Sequence, residues 1–333
     1  MKIHFDWRLS RVVDDQGNIV DEIAWDGLMS PSGLAKRLLK IQQGRKLPEV
    51  ITLAERFPDA EIDPLGSLSD PNWPKAEESD ELFRRATLTL AKMGVAESSG
   101  DMDRRLDMLV SATLEARSSW TTSESRCIEW AGFFITEADL DSQRGEIPSA
   151  ISSSQSIVEA SEKLGVNPPK HLPSDSEWSS MVSHALAVTS SSDILEQLEV
   201  SIREIATLHV PSLSALLGPI SAAKLVSLAR GRERLARMPS GSLQVLGAHA
   251  AMAAHRRGAP PPKHGSVLFS MPQVSRSPRW VRGKIARYLA GKASIAVRVD
   301  HFDGETWGKS QIDEINGEIE AIKAKFPKPP KRR

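Results

Sequence analysis

Basic side chains with helical spacing are the residues of this chain best suited to chemistry. Between Pro211 and Asp300 the sequence holds fifteen Lys and Arg residues against two acidic ones, Glu233 and Asp300. If residues 280–301 form a helix, positions i, i+3, i+7, i+10 and i+14 share one face. These positions hold Lys284, Arg287, Gly291, Ser294 and Arg298. Three cations beside two small residues predict a ridge that a phosphate backbone can approach closely.

The same helix carries apolar residues on its other side, which predicts that this side packs against the rest of its domain. They are Val281, Ile285, Leu289, Ala293 and Ala296. Two alternatives remain open. Arg298 could form a structural ion pair with nearby Asp300, and the whole charge run could be a solvated helical surface.

A second predicted helix, Leu243 to Arg257, follows the helix-breaking Pro239-Ser240-Gly241-Ser242. Gln244, Ala248, Ala251 and His255 share one face of it, with small residues between two side chains that form hydrogen bonds. That face could lie against RNA, although an exposed helical histidine is more often only solvated.

Two further stretches present polar groups. A proline-stiffened loop, residues 258–265, offers Lys263 and His264 at little entropic cost. Residues 276–284 set Trp280 among cations, either as a base-stacking ring or as a packing anchor. The candidate RNA-binding residues are Gln244, His255, Lys263, His264, Arg276, Arg279, Arg282, Lys284, Arg287 and Arg298.

Motifs for catalysis are not apparent. The sequence shows no Gly-rich phosphate loop, no supported Ser-His-Asp order and no metal-ligand spacing, and acidic pairs such as Glu77-Glu78 lie in a predicted loop. Cys127 is the single cysteine, which rules out an internal disulfide and a zinc site built from several thiolates. We therefore expect a protein that is not an enzyme and holds no metal and no cofactor of its own.

The rest of the chain balances this basic segment. The sequence has 43 basic and 43 acidic residues in total, and 35 of the acidic residues lie within residues 1–210. At 333 residues it can hold two or three domains. No run of eighteen apolar residues occurs, and charges interrupt the first eight residues, so the protein is expected to be cytoplasmic.

The elements predict a mainly α protein with a small α/β N-terminal domain, residues 1–98. This domain has strands Lys2 to Trp7 and Ile19 to Trp25, a helix from Pro31 to Gly44 capped by Ser30, and a loop over residues 58–80. Helical runs at about 80–137 and 176–208 flank a Ser- and Pro-rich segment. They predict an antiparallel hairpin over residues 99–210, either a coiled coil or part of a compact bundle. An all-helical basic domain, residues 211–326, and a disordered basic tail, residues 327–333, follow.

Five ordered blocks in the basic domain resemble the Nop domain family. They span residues 218–229, 238–248, 261–265, 276–287 and 296–302. The match is closest to the archaeal box C/D ribonucleoprotein core protein, a counterpart of the eukaryotic nucleolar Nop scaffold proteins. One block departs from the family pattern Gly-Ala-Glu-Lys-Ala-Leu-Phe-Arg-His, because residues 247–255 read Gly-Ala-His-Ala-Ala-Met-Ala-Ala-His.

This resemblance implies a scaffold, not an enzyme. It implies partners: a box C/D guide RNA, a small kink-turn-binding protein of ribosomal-protein-like type, the methyltransferase fibrillarin docked on the N-terminal domain, and a second copy of the chain held through the hairpin. S-adenosylmethionine would be bound by fibrillarin, which would methylate ribose 2′-hydroxyls of ribosomal RNA in an archaeal cell. The alternative is a Nop-fold RNA-binding adaptor without a methylation partner.

Overall fold

The computed structural model describes residues 1–25, 30–74 and 80–329. The chain forms two compact units, Met1–Gly100 and the residues from Asp101 onward. The Glu77-Glu78 pair and the last four residues of the basic tail lie outside the described residues.

The first unit contains a four-stranded sheet. Its strands are β1 (Lys2–Phe5), β2 (Leu9–Val13), β3 (Ile19–Ala24) and β4 (Glu61–Asp63). They lie in the order β3-β2-β1-β4, antiparallel except for the parallel β1–β4 pair. The first and third strands confirm the sequence prediction. The second was missed because its five residues are all buried and show no alternation, and because it includes Arg11, whose charge is paired with Glu22 and Asp70.

In the described part of the first unit, four helices follow or flank the sheet: α1 (Pro31–Gln42), α2 (Pro48–Arg56), α3 (Gly66–Ser69) and α4 (Asp80–Ser98). The hydroxyl of Ser30 accepts a hydrogen bond from the Gly33 backbone N–H and so caps α1 as predicted. Residues 58–80 are not simply a loop, because they contain β4 and α3. The core of the unit joins the sheet to α2 through Ile3, Val12, Val50 and Leu53.

The second unit begins with a helical hairpin. Its long helices are α5 (Met102–Phe134) and α8 (Asp175–His209), with α6 (Ile147–Ser152) and α7 (Ile157–Lys163) between them. The long helices run antiparallel, since Arg117 pairs with Glu199 while Ser123, further along α5, bonds His184, earlier on α8. At the tip, α6 and α7 pack between them around a core that includes Cys127, Ile147 and Met181.

Ile194, Leu198, Ile202, Ile205 and Leu208 recur at helical spacing along α8, which predicts one buried apolar stripe, and this prediction is partly wrong. Ile202 is buried as expected, but Ile194 and Leu208 are exposed, whereas Leu195 and Ala206 are buried instead. The buried residues of α8 are instead spaced four, three, seven, seven and four positions apart, which is a heptad pattern, and those at its base belong to a core shared with the helices that follow.

Over the described residues, nine further helices complete the second unit. They are α9 (Pro211–Leu217), α10 (Pro219–Ala229), α11 (Arg232–Arg237), α12 (Ser240–Gln244), α13 (His249–Arg256), α14 (Ser266–Ser270), α15 (Pro272–Ser275), α16 (Arg279–His301) and α17 (Lys309–Lys325). Their core also takes in Leu106 and Val110 of α5 and Ile202 and Ala206 of α8. The base of the hairpin and the basic segment therefore share one hydrophobic core.

Among the described residues no single helix has the length and apolar composition to cross a membrane, although α9 and α10 together do, at a bend of 118°. Most of the apolar residues of this pair lie in the shared core.

Candidate nucleic-acid interface

Helix α16 is the central element of the basic segment. Its residues Val281, Ile285, Leu289, Ala293 and Ala296 are buried in the shared core, as their spacing predicts. Lys284, Arg287 and Arg298 are exposed on the outer surface. The predicted ridge is wrong at Ser294, which is only 4% exposed, so no phosphate can approach there.

The charges of this segment are largely without acidic partners. Over the described part of the chain, Arg237–Glu233 is the only ion pair that involves residues 211–300. This leaves the excess positive charge free to act on an anion. A surface of this kind attracts and retains phosphates, with a strength that falls as salt rises.

Lys284 lies beside the C-terminal segment of the chain. Its Nζ is 4.1 Å from the centroid of the Phe326 ring, a cation–π contact. Trp280, one turn earlier, donates from its indole Nε1 to the Phe326 carbonyl oxygen at 2.9 Å. Trp280 is therefore a packing anchor in this structure, the alternative to a base-stacking ring, and it fixes the position from which Lys284 projects.

Arg298 does not pair with Asp300. Its Nε donates to the Ala236 carbonyl oxygen at 3.0 Å, which holds the stem of the side chain against α11. The Asp300 carboxylate instead accepts from the backbone N–H groups of Ser212 and Leu213, at 2.8 and 2.9 Å. These two N–H groups open α9, so Asp300 serves as the acidic partner of that helix start.

Three side chains form a layered stack at one end of α16. The His264 ring lies on the Phe269 ring with centroids 4.8 Å apart and planes 11° apart. The Arg282 guanidinium lies 5.6 Å from the centroid of the same phenylalanine, and its Nε donates to the Ser277 carbonyl oxygen at 2.8 Å. The stack holds His264 and Arg282 in fixed orientations on a flat aromatic support. Phe269 was not predicted as a site residue. In the sequence it is only a large apolar residue at the end of an apolar run, and its partial exposure is seen only in the structure.

The loop before this stack is held by Gln244. Its side-chain Nε2 donates to the Lys263 carbonyl oxygen at 2.6 Å, and its backbone carbonyl oxygen accepts from the Gly265 N–H at 2.7 Å. Lys263 itself is exposed, and its side-chain stem lies over Gly283 of α16. Gln244 is 9% exposed, so it shapes the loop instead of presenting a side chain to a ligand.

The predicted helix Leu243 to Arg257 is wrong, because it is two short helices, α12 and α13. Gly247, in the break between them, has φ of +83°, a left-handed conformation that is incompatible with a continuous helix. Gln244 and His255 therefore do not share a helical face. His255 is exposed, and its Nδ1 lies 2.7 Å from the Ala259 carbonyl oxygen, which closes the end of α13.

Arg276, just after α15, and Arg279, the first residue of α16, are both exposed. With Lys263, Lys284 and Arg287 they give five exposed cations around the His264–Phe269–Arg282 stack and the outer face of α16. Cations for phosphates beside flat groups for bases are what a single-stranded or looped RNA requires. Among the described residues, no group of three or more His, Cys, Asp or Glu side chains is placed to hold a metal ion.

A family model and individual relatives match this chain. The model of the Nop family, described as "snoRNA binding domain, fibrillarin", matches residues 134–321, more than half of the chain. An uncharacterised NOP5 family protein of Methanocaldococcus jannaschii is 43% identical over 122 residues, 36% of this chain and 29% of that protein. Nucleolar protein 56 of Caenorhabditis elegans is 32% identical over 151 residues, 44% of this chain and 31% of that protein.

A more distant relative is the mouse U4/U6 small nuclear ribonucleoprotein Prp31, 32% identical over 120 residues, 36% of this chain and 24% of that protein. A solved fibrillarin/Nop5p complex contains a chain that aligns with 96% of this one and 99% of its own length, at a TM-score of 0.42 and 20% identity. The aligned stretch thus spans less than a third of the length of each of the three sequence relatives.

Proposed function

Because this chain belongs to the Nop family, we propose that it is a scaffold subunit of a box C/D small ribonucleoprotein. In this role it binds guide RNA together with a kink-turn-binding protein and recruits fibrillarin for 2′-O-methylation of ribosomal RNA. The chain itself does no chemistry, and S-adenosylmethionine belongs to fibrillarin. The setting proposed is the cytoplasm of an archaeal cell.

One observation carries the RNA-binding part of this proposal. Lys263, Arg276, Arg279, Lys284 and Arg287 are exposed on α16 and in the segments that precede it, without a described carboxylate in ion-pairing range. Cations of this kind release the condensed counterions of a nucleic acid when they contact its phosphates, and this release favours binding. The match of the surrounding residues to a snoRNA-binding family model selects RNA from among the possible polyanions.

The fibrillarin and dimer parts have narrower support. Fibrillarin is named in the description of the family model, and the first unit is the additional folded part available for docking it. The hairpin leaves apolar side chains exposed, among them Met108, Leu114, Ile194 and Leu208. A second hairpin could cover them, so sedimentation of the full chain is expected to give a dimer.

Gel shift of the full-length chain tests the scaffold. We expect weak binding to a box C/D kink-turn RNA alone, tight binding once the kink-turn protein is present, and a further shift when fibrillarin is added. Equal affinity for the naked RNA and for the preformed complex would contradict the scaffold model, because the proposed scaffold must contact both the RNA and the kink-turn-binding protein.

The second candidate function is a Nop-fold RNA adaptor that lacks a methylation partner. Residues 247–255 depart from the family pattern, because His249 and Ala250 stand in place of its charged pair and Ala253 in place of its aromatic residue. The two functions separate at the last step of the same experiment. If RNA binding succeeds and fibrillarin never joins, the adaptor function replaces the scaffold function.

A further inference from the structure

A second basic surface lies on the first unit, apart from the Nop-family residues. Residues 36–46 contain five cations, Lys36, Arg37, Lys40, Arg45 and Lys46, and no acidic residue. This concentration contrasts with residues 1–210 as a whole, where acidic residues outnumber basic ones by 35 to 21. A local reversal of charge in an acidic region produces a confined positive potential.

This surface borders a cleft of about 310 Å³ between α1 and the start of α2. The cleft is lined by Trp25, Gly33, Lys36, Arg37, Lys40, Leu47, Pro48 and Glu49. Its volume is at the lower end of the range of small-molecule pockets, about 300–1,000 Å³. It therefore suits one flat ring system better than the side chains of a protein partner.

The floor of the cleft is fixed by an internal ion pair. The guanidinium of Arg37 donates to both carboxylate oxygens of Glu49, at 3.1 and 3.0 Å, and its Nε donates to the Trp7 carbonyl oxygen. Both partners of the pair are buried. The Arg37 charge is thus neutralised within the fold, and the ion pair forms a rigid floor of the cleft.

The Arg37 side chain of this ion pair positions Trp25. The Arg37 guanidinium lies 5.0 Å from the centroid of the Trp25 ring, and the Trp25 backbone N–H donates to the Arg8 carbonyl oxygen at 2.7 Å. The ring is only partly buried and forms one side of the cleft. A preordered, partly exposed indole offers a π face for stacking at low entropic cost.

The remaining cations point to phosphate. Lys36 and Lys40 are one helical turn apart on α1, and both are exposed, as are Arg45 and Lys46 after the turn at Gly44. No described carboxylate lies within 4.0 Å of any of these four side chains, in contrast to Arg37. Neighbouring cations without counterions, beside a held aromatic ring, match the requirements of a single-stranded nucleic acid.

We propose that this cleft is a second RNA site, in which Trp25 stacks on an unpaired base while Lys36 and Lys40 contact the phosphates that flank it. The proposal rests on the proposed function only in taking RNA as the polyanion that this chain meets. An acidic protein surface is the competing ligand, but its carboxylates would not stack on the indole ring of Trp25.

The test uses the full-length chain and an unstructured oligouridylate of about twelve nucleotides with 4-thiouridine, a length within the range of known single-strand sites. Irradiation is expected to link the probe to the tryptic peptide Val12 to Lys36, which contains Trp25. The double variant Lys36→Ala/Lys40→Ala is expected to lose most of this crosslink, which is then read on the peptide Val12 to Arg37 because the substitution removes the tryptic site at residue 36. It should also flatten the log–log salt dependence of binding by about 1.4 units, because each phosphate contact on a single strand contributes about 0.7.

The matched control is Arg85→Ala/Lys92→Ala, which removes two exposed charges from α4 of the same unit, outside the cleft lining. It should keep the crosslink and nearly all of the slope. Equal losses in both double variants, or a wild-type chain without a crosslink at Trp25, would overturn the second site. Full displacement of the probe by polyglutamate at equal charge concentration would also overturn it, since the cleft would then be a site for acidic protein.

Failure of the scaffold function is recognised separately. That function is judged by the shift of kink-turn RNA with its protein, whereas the cleft is judged by the Trp25 crosslink to RNA that has no kink turn. An Arg287→Ala variant, altered in the Nop-family surface, should retain the crosslink in the first unit.

Discussion

The carboxylate of Asp300, near the end of α16, accepts a hydrogen bond from the backbone N–H of Ser212, at the beginning of α9. This contact joins residues 88 positions apart in the sequence, and a second one to Leu213 reinforces it. Asp300 is 7% exposed, so both bonds lie in the interior of the second unit. Asp300 thus ties the two ends of the basic segment together.

Replacement of Asp300 by Ala is expected to lower the free energy of unfolding by about 3 kcal/mol, because two buried N–H groups lose a charged acceptor. Asp300→Asn should recover part of this loss, since one amide oxygen remains. Urea denaturation followed by circular dichroism measures both. Asp313→Ala, at an exposed position of α17, is the control and should change the free energy by less than about 0.5 kcal/mol.

Low pH should weaken the hydrogen bonds by which Asp103 links α5 to α11. Burial opposes the charge of Asp103, but hydrogen bonds from His209 and from the Arg232 backbone N–H, together with their positive charges, hold the pKa of Asp103 below the ordinary value of 3.8. A lowered pKa gives stability that is present above pH 3.8 and is lost as the pH falls through the folded-state value. Asp103→Asn should therefore flatten the acid limb of the stability profile below about pH 4. If the loss of stability at low pH were the same in Asp103→Asn as in the wild type, the Asp103 carboxyl would not contribute to the pH dependence of stability.

The exposed cations of α16 should supply part of the salt-dependent, electrostatic affinity for RNA. Arg287 is exposed and has no described acidic partner, so Arg287→Ala should reduce the log–log salt slope of guide RNA binding by about one unit at most. Arg298→Ala should have a smaller effect, because its Nε already donates to Ala236. Lys170→Ala, an exposed cation in the hairpin, is the control, and a slope loss as large as that of Arg287→Ala would deny a special role to α16.

Gly265 has no room for a side chain. A Cβ at this position would overlap the backbone carbonyl of Leu246, and the Gly265 N–H is bound to Gln244. Gly265→Ala is expected to cost about 2–3 kcal/mol and to disturb the presentation of Lys263 and His264. Gly241→Ala, where nothing lies within 4 Å, should be neutral or slightly stabilising by thermal unfolding. Similar melting temperatures for the two variants would contradict the tight loop.

The thiol of Cys127 should be unreactive in the folded protein. Burial, and secondarily the charge of Glu124, raise the pKa of Cys127 to about 11. The thiolate fraction near pH 8 is then small, and access is blocked as well. Ellman's reagent should react slowly with the native chain and rapidly, with one thiol per chain, after denaturation. Fast reaction in the native state would indicate that the hairpin tip opens.

Periodicity was enough to predict the elements with one strongly apolar face. The spacing of Val281, Ile285 and Leu289 predicted the buried side of α16, and Ser30 with Pro31 predicted the start of α1. Both signals are local, since each depends on residues within a few turns of one another.

Long-range contacts explain what the sequence could not reveal. Strand β2 was missed because Arg11 is buried by partners that lie 11 and 59 residues away. The break between α12 and α13 depends on the positive φ of Gly247, inside a stretch of good helix formers. Phe269 and Phe326 support site residues through ring contacts that only the tertiary fold creates. The assignment of Ser294 to the ridge failed because the wide buried face of α16 includes it.

The shared core at the base of the hairpin also affects the order in which the chain can fold. Leu106 and Val110 are synthesised about a hundred residues before Val210 and Leu213, with which they form one core. The nascent hairpin must therefore leave the ribosome with apolar residues uncovered at its base and wait for the later helices. Contacts of such sequence separation slow folding. The hairpin tip, which has its own core, can form early, whereas a fragment beginning at Pro211 would lack part of its interior.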